Sequence, residues 1–295
     1  MSYTTSDLLS AINRRSFLPA GQTTFTDAEI LAIAGEMMRL DILPSIMKLN
    51  EEFFVQTKNY NVTSGVQNYL IPYRAIGQVV REVKYIGTNG GVLDLDRIEP
   101  TEVDNVTRTS DTPEAFYVKN DEIWLHPIPA STTGTLRIDF PLRPGEFIET
   151  SDAAVISAID TATNVVTLSS IPSTWVTGNI FDFISYQGSH KHVGFDLTSD
   201  LVSGTDITFS TDTLPEKLVV GDYVALQGKS PLVQVVAEYR DLVAQGAASF
   251  IMEKMNLPGK NYERDLYEKG LKKLEMMIKP RTQGSPRTIS TPGFL

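Results

Sequence analysis

The feature that most constrains this chain is a double change in the spacing of its apolar residues. They recur at helical intervals up to about residue 58, alternate through the middle, and return to helical intervals after residue 230. Apolar groups three and four residues apart form one stripe of a helix, whereas strict alternation places them on one face of a strand. This pattern predicts the α+β class. We expect a helical bundle drawn from both chain ends, a β-rich core, and an inserted small β-barrel or β-sandwich domain.

The expected segments are N-terminal helices over 1–58, an antiparallel β core over 59–144 and an inserted β domain over 145–230. A C-terminal helix pair over 231–279 and an extended arm over 280–295 complete the chain. Thr26-Asp27-Ala28-Glu29 is a capping box, with Ile30, Ile33, Ala34 and Met37 as the apolar stripe behind it. Pro44 is expected to break the helix that follows. In the core, Thr135-Leu136-Arg137-Ile138-Asp139-Phe140 alternates as a half-buried strand should. Gly87-Thr88-Asn89-Gly90-Gly91 and Lys119-Asn120-Asp121 each separate two such runs and predict hairpin turns.

Residues 145–230 contain a weak internal repeat. Ile171-Pro172, Trp175-Val176, Gly178-Asn179 and Ile180 recur as Leu214-Pro215, Leu218-Val219, Gly221-Asp222 and Tyr223. Two units of this size suit a small barrel or sandwich, since a solenoid needs about three or more. Ser230-Pro231 reads as an N-cap with proline at the first helical position. The stripe from Leu232 to Ile251 follows it, and Asn256-Leu257-Pro258-Gly259 ends that helix. A second helix carries Tyr262, Leu266, Gly270, Leu271, Leu274 and Met277 on one face.

Composition narrows the chemistry. The 295 residues contain no cysteine and three histidines, which excludes disulfides, thiolate metal sites and thiol nucleophiles. Thirty-six acidic residues against 26 basic ones give a net charge of −10, the wrong sign for a protein that grips phosphates. The excess is local: residues 86–230 hold 21 acids and 8 bases, while residues 231–295 hold 7 acids and 10 bases. The chain opens without a basic and then apolar leader, and no apolar run approaches the ~20 residues that span a bilayer.

No catalytic motif meets its own requirements. The G-x-S-x-G elbow is missing, and Gly228-Lys229-Ser230 lacks the earlier glycine of a phosphate-binding loop. Asp196-Leu197-Thr198-Ser199-Asp200 has leucine where a calcium loop needs glycine. His190 and His192 form the one candidate metal pair, since residues two apart on a strand share a face. No third ligand follows from spacing, so exposed polar strand residues are the preferred reading of both. His126 reads as a strand-end hydrogen-bonding residue. Asp94 and Asp96 are the nearest thing to a carboxylate pair on one strand face. We therefore expect no catalytic residue, cofactor or metal.

The order of segments resembles the head-to-tail adaptor (connector) proteins of tailed bacteriophages. The resemblance runs through Thr26-Asp27-Ala28-Glu29-Ile30-Leu31, Tyr69-Leu70-Ile71-Pro72-Tyr73-Arg74-Ala75-Ile76-Gly77 and Pro113-Glu114-Ala115-Phe116-Tyr117. It continues in Ile123-Trp124-Leu125-His126-Pro127-Ile128-Pro129 and Leu136-Arg137-Ile138-Asp139-Phe140-Pro141-Leu142-Arg143-Pro144, with the helix pair last. The stretch 145–230 departs from the compact version and looks like an insertion.

The resemblance implies a non-enzymatic virion protein at the head–tail junction, assembled in the host cytoplasm. It implies a ring of copies, usually twelve, docked on the portal, contacting tail or neck proteins and passing genome DNA without sequence-specific binding. It also implies a portal-seeking C-terminal arm, which here holds Lys279, Arg281, Arg287, Ile289, Phe294 and Leu295. The competing readings are another tail component, such as a tube or baseplate protein, and a carbohydrate-active enzyme using acid pairs on a β scaffold.

Overall fold

In the computed structural model, which describes residues 3–18, 24–103, 112–130, 134–209 and 213–277, the first two helices open on reciprocal caps. Thr4 caps α1 (Thr5–Ser16) through Asp7, and Thr26 caps α2 (Asp27–Met37) through Glu29. Each hydroxyl accepts an otherwise orphaned N–H, and each acid reaches back to the cap residue. The helix does not break at Pro44. It widens into a π-helical turn over Met38–Ile42, where Leu43 N–H donates to the Met38 carbonyl, and continues as α3 (Leu43–Leu49) with proline at its start. A proline ring normally collides with the carbonyl four residues back, and the wider turn accommodates it.

Two four-stranded sheets follow. The first runs in the order β1 (Val55–Asn61), β8 (Gly134–Pro141), β3 (Glu82–Gly87), β4 (Val92–Asp94). The second runs β2 (Asn68–Leu70), β7 (Glu122–His126), β6 (Ala115–Lys119), β5 (Asp96–Arg97). Both expected hairpins form. Asn120 and Asp121 take positive φ between β6 and β7, and Gly87 N–H donates to the Gly91 carbonyl between β3 and β4. Pairing is antiparallel throughout, except that β5 and β6 run parallel. The sheets bury Leu136, Ile138 and Phe140 on the face that their alternation assigns.

The chain then passes through β9 (Glu146–Phe147) into a seven-stranded sheet and returns through β17 (Lys229–Ser230), which pairs parallel with β9. Gly145 is required at this neck: a Cβ there would lie 2.8 Å from the Lys229 carbonyl carbon. The seven strands are β10 (Ala154–Asp160), β11 (Val165–Leu168), β12 (Ile180–Ile184), β13 (His192–Thr198), β14 (Leu201–Ser203), β15 (Asp206–Thr208) and β16 (Tyr223–Leu226). Their order is β13-β12-β16-β10-β11-β15-β14, whose two ends are successive strands separated by Ser199 and Asp200.

The sequence repeat is a structural repeat. Trp175 N–H donates to the Pro172 carbonyl, as Leu218 N–H does to that of Pro215. Val176 N–H donates to the Asn179 side chain, as Val219 N–H does to that of Asp222. Gly178 and Gly221 share a positive φ, and the copies meet as β11 on β15 and β12 on β16. Phe181, Phe183 and Phe209 fill the interior in edge-to-face contacts.

Ser230-Pro231 starts no helix. Ser230 is buried in β17, and residues 231–236 form a non-helical link against the N-terminus, with Thr5 N–H donating to the Pro231 carbonyl and Val233 N–H to that of Tyr3. Burial of Leu232, Val233 and Val235 holds this link in place through a tight turn in which Val235 N–H donates to the Val233 carbonyl, and α4 begins only at Ala237. α4 (Ala237–Lys254) and α5 (Lys260–Met277) then pack together. Leu8 and Ile12 of α1, Ile30 and Leu31 of α2, and Val243, Ala247 and Ile251 of α4 share one buried cluster. Among the described residues, no helix is long and apolar enough to cross a membrane.

Candidate functional site

Where the seven-stranded unit meets the rest of the chain, charge is concentrated and buried. Arg74 follows β2 in a turn, its carbonyl accepts from Arg143 N–H, and the residue is 4% exposed. It donates to Asp182, 2.8 Å away in the middle of β12, and to Asp196, 3.0 Å away in β13. Asp182 also accepts from the backbone N–H groups of Asp196 and Gly228, and Gln227 donates to Asp196 at 2.7 Å. His192 Nε2 lies 3.5 Å from Asp182. Gln234 meets His192 Nδ1 at 3.1 Å and accepts from Gly145 N–H, which ties the C-terminal link to the neck.

The electrostatics follow from this geometry. Burial alone would push the Asp182 carboxyl up, but the His192 hydrogen bond and charge, with Arg74, hold it down at about 2. A carboxylate so fully occupied and shut from solvent has no capacity left to exchange protons with a substrate. Chemically, the arrangement locks three stretches of chain in one relative position.

A second cluster pins the N-terminus. The His190 ring is buried, with Nδ1 against the Ser185 carbonyl and Nε2 accepting from Tyr3 N–H at 3.1 Å. Arg240 of α4 reaches the same Nε2 at 2.9 Å and the Gly188 carbonyl. Burial first, then the Arg240 charge, lowers the His190 pKa to about 4.

The histidines are therefore neither exposed nor a metal pair. His190 sits at positive φ before β13 begins, so the chain turns between it and His192 and sends the two rings to different partners. Lys191 between them covers the Phe53 ring at 4.4 Å. Among the described residues, no group of three or more His, Asp or Glu could hold a metal. Asp94 and Asp96 fall on β4 and β5, in different sheets, so they are not a pair. His126 closes β7, where the strand-end reading placed it. The arm residues Lys279, Arg281, Arg287, Ile289, Phe294 and Leu295 lie outside the described residues.

The Arg74–Asp182 junction was not anticipated from sequence. One signal was present: Asp182 is a lone acid inside the apolar run Ile180-Phe181-Asp182-Phe183-Ile184, a place where a charge must find a partner.

A search of curated proteins finds no match for this chain. The sequence does match the SU10 adaptor protein family over residues 3–179, more than half the chain, from α1 through both four-stranded sheets to the first copy of the repeat. By that match the chain belongs to the SU10 adaptor protein family of phage head-to-tail adaptors.

Proposed function

We propose that this protein is a virion structural component joining the capsid portal to the tail, as one subunit of a ring around the passage of the genome DNA. The family match over residues 3–179 carries the reading. Twelve copies is the expected number for a ring of this kind. The role is structural and non-enzymatic: the buried titratable groups of the junction are spent on holding chain segments together. We read the seven-stranded unit as a small closed barrel, because its strand order ends on two successive strands.

The partners are the portal, tail or neck proteins and further copies of the chain. The basic arm, with Lys279, Arg281 and Arg287 for charge and Ile289, Phe294 and Leu295 for apolar contact, docks on an acidic portal surface. The acid-rich region over 86–230 faces water or the DNA path, where like charge keeps phosphates from sticking. Removing residues 280–295 is expected to abolish attachment to portal-bearing heads, scored by co-sedimentation. Normal attachment of the shortened chain would overturn the docking assignment.

A further inference from the structure

A cleft of about 240 Å³ opens beside the neck, lined by Arg39, Tyr73, Arg143 and Lys229. It is a basic hollow in an acidic protein. Arg39 is paired with Glu146 at 3.3 Å, but Arg143 and Lys229 are exposed and have no acidic partner among the described residues. Tyr73 stands at the rim, 65% exposed. Exposed tyrosine and arginine around a concavity are the side chains that most often anchor protein interfaces. A second hollow of about 130 Å³ adjoins it, sharing Arg39, Pro144 and Glu146, and its wall is apolar, with Leu31 and Phe147. The combined groove is cationic at one end and apolar at the other. Nucleic-acid phosphate would use the first end and leave the second empty, so the groove suits a protein segment with an acid beside an apolar side chain.

Such a segment is exposed on this same chain. Strand β4 is the edge of its sheet, and among the described residues it pairs only with β3. Val92 is 60% exposed and the Asp94 side chain 72%, with Lys84 as its ion-pair partner among the described residues at 3.1 Å. Residues two apart on a strand share a face and lie roughly 6.5–7 Å apart. One face of β4 thus presents an apolar group and a carboxylate together. An open apolar edge is a hazard unless something covers it.

We propose that the groove at the neck takes the β4 edge of a second copy, with Val92 in its apolar end and Asp94 against Arg143 and Lys229. Groove and edge are different surfaces of one chain, so the contact is head-to-tail and repeats from copy to copy until it closes. This assignment rests on the ring reading and names the surfaces that build the ring.

The test is charge exchange, scored by imaging adaptor-deficient heads supplied with purified full-length chain. Arg143→Glu and Asp94→Arg are each expected to reduce ring loading roughly tenfold or more, and the two changes in one chain to restore it. Lys229→Glu, at another exposed side chain of the groove, is expected to reproduce the Arg143→Glu loss, and thermal melting of every variant should match the parent. If Arg143→Glu melts early, Lys229→Glu carries the test. Rings that load normally in all the single variants, or a double variant no better than its parents, overturn the docking pair while leaving the ring intact. Parent chain that loads without forming a ring overturns the ring reading itself. Binding of duplex DNA that Arg143→Glu and Lys229→Glu abolish would assign the groove to phosphate instead.

Discussion

At the scale of single residues, two buried groups tie stability to pH in adjoining windows. The Ser185 carbonyl requires a proton on His190 Nδ1, so Nε2 must stay bare to accept from Tyr3 and face Arg240. Protonating it would set N–H against N–H beside a guanidinium. With the folded pKa at about 4 against 6.5 for a free histidine, both states are neutral above pH 6.5, and the neutral ring's contribution is complete there. As pH falls below 6.5 the unfolded chain takes up a proton that the folded chain refuses, and stability declines until about pH 4. The full decline is roughly 3 kcal/mol at most. Asp182 adds a later step: its contribution is complete above 3.8 and is lost as pH falls through about 2. Thermal melts of the parent and of His190→Gln between pH 7 and 4 isolate the first step, because this side chain is the one difference between the two proteins. The variant should show the shallower slope; parallel curves would remove His190 from this account. Arg74 has a different standing. Its loss would leave the buried Asp182 carboxylate without the guanidinium 2.8 Å away, an imbalance that typically costs about 3–5 kcal/mol.

At the scale of elements, α5 is held by two glycines and one tyrosine. Tyr267 packs into the space left by Gly246 of α4 and donates to Asp41 in the π-helical turn at 2.9 Å. A Cβ on Gly246 would meet the Tyr267 ring at 2.8 Å, and one on Gly270 would meet Leu242 Cδ1 at 2.5 Å. The Leu242 methyl can swing aside, but the Tyr267 ring is fixed at both ends. Gly246→Ala therefore sets an intrinsic helix gain of ~1 kcal/mol against overpacking of ~1–3 kcal/mol. Hydrogen exchange should show α5 losing protection in that variant while α1 and α2 keep theirs. Equal protection in α5 would mean that the ring yields without cost.

The Thr26–Glu29 cap, the hairpins at 87–91 and 119–121 and the repeat are local patterns, and each formed as read. Ser230-Pro231 misled because burial of Leu232, Val233 and Val235 against the N-terminus outweighs a local capping preference. The π-helical turn before Pro44 leaves no periodic signal. The charged junction was illegible for a related reason: Arg74 and Asp182 are 108 positions apart, and nothing local to either names the other.

At the scale of the whole molecule, the cores divide along the neck. The helical cluster and the cluster between the two four-stranded sheets take no buried member from residues 148–228, whereas the interior of the seven-stranded unit lies wholly within 154–224. What joins them is a thin layer of Ala153, Ile184, Ala225 and Leu232, with Phe195 of β13 edge-on to Phe140, Lys191 over Phe53, the Arg74 network and the His190 contacts. Because Lys229 lies beside Glu146 in the parallel pair, the chain leaves the unit one strand-width from where it enters. Replacing residues 148–228 by two or three glycines is therefore expected to leave a protein that melts in one cooperative step and keeps its helical circular dichroism. Arg74 would then face water, where its charge is solvated and needs no partner. The shortened chain should be less stable than the parent by the layer it loses, since Leu232 and His192's partner Gln234 become exposed. A shortened chain with no cooperative transition would show instead that the seven-stranded unit is part of one indivisible core, and that the neck is a crossing within it.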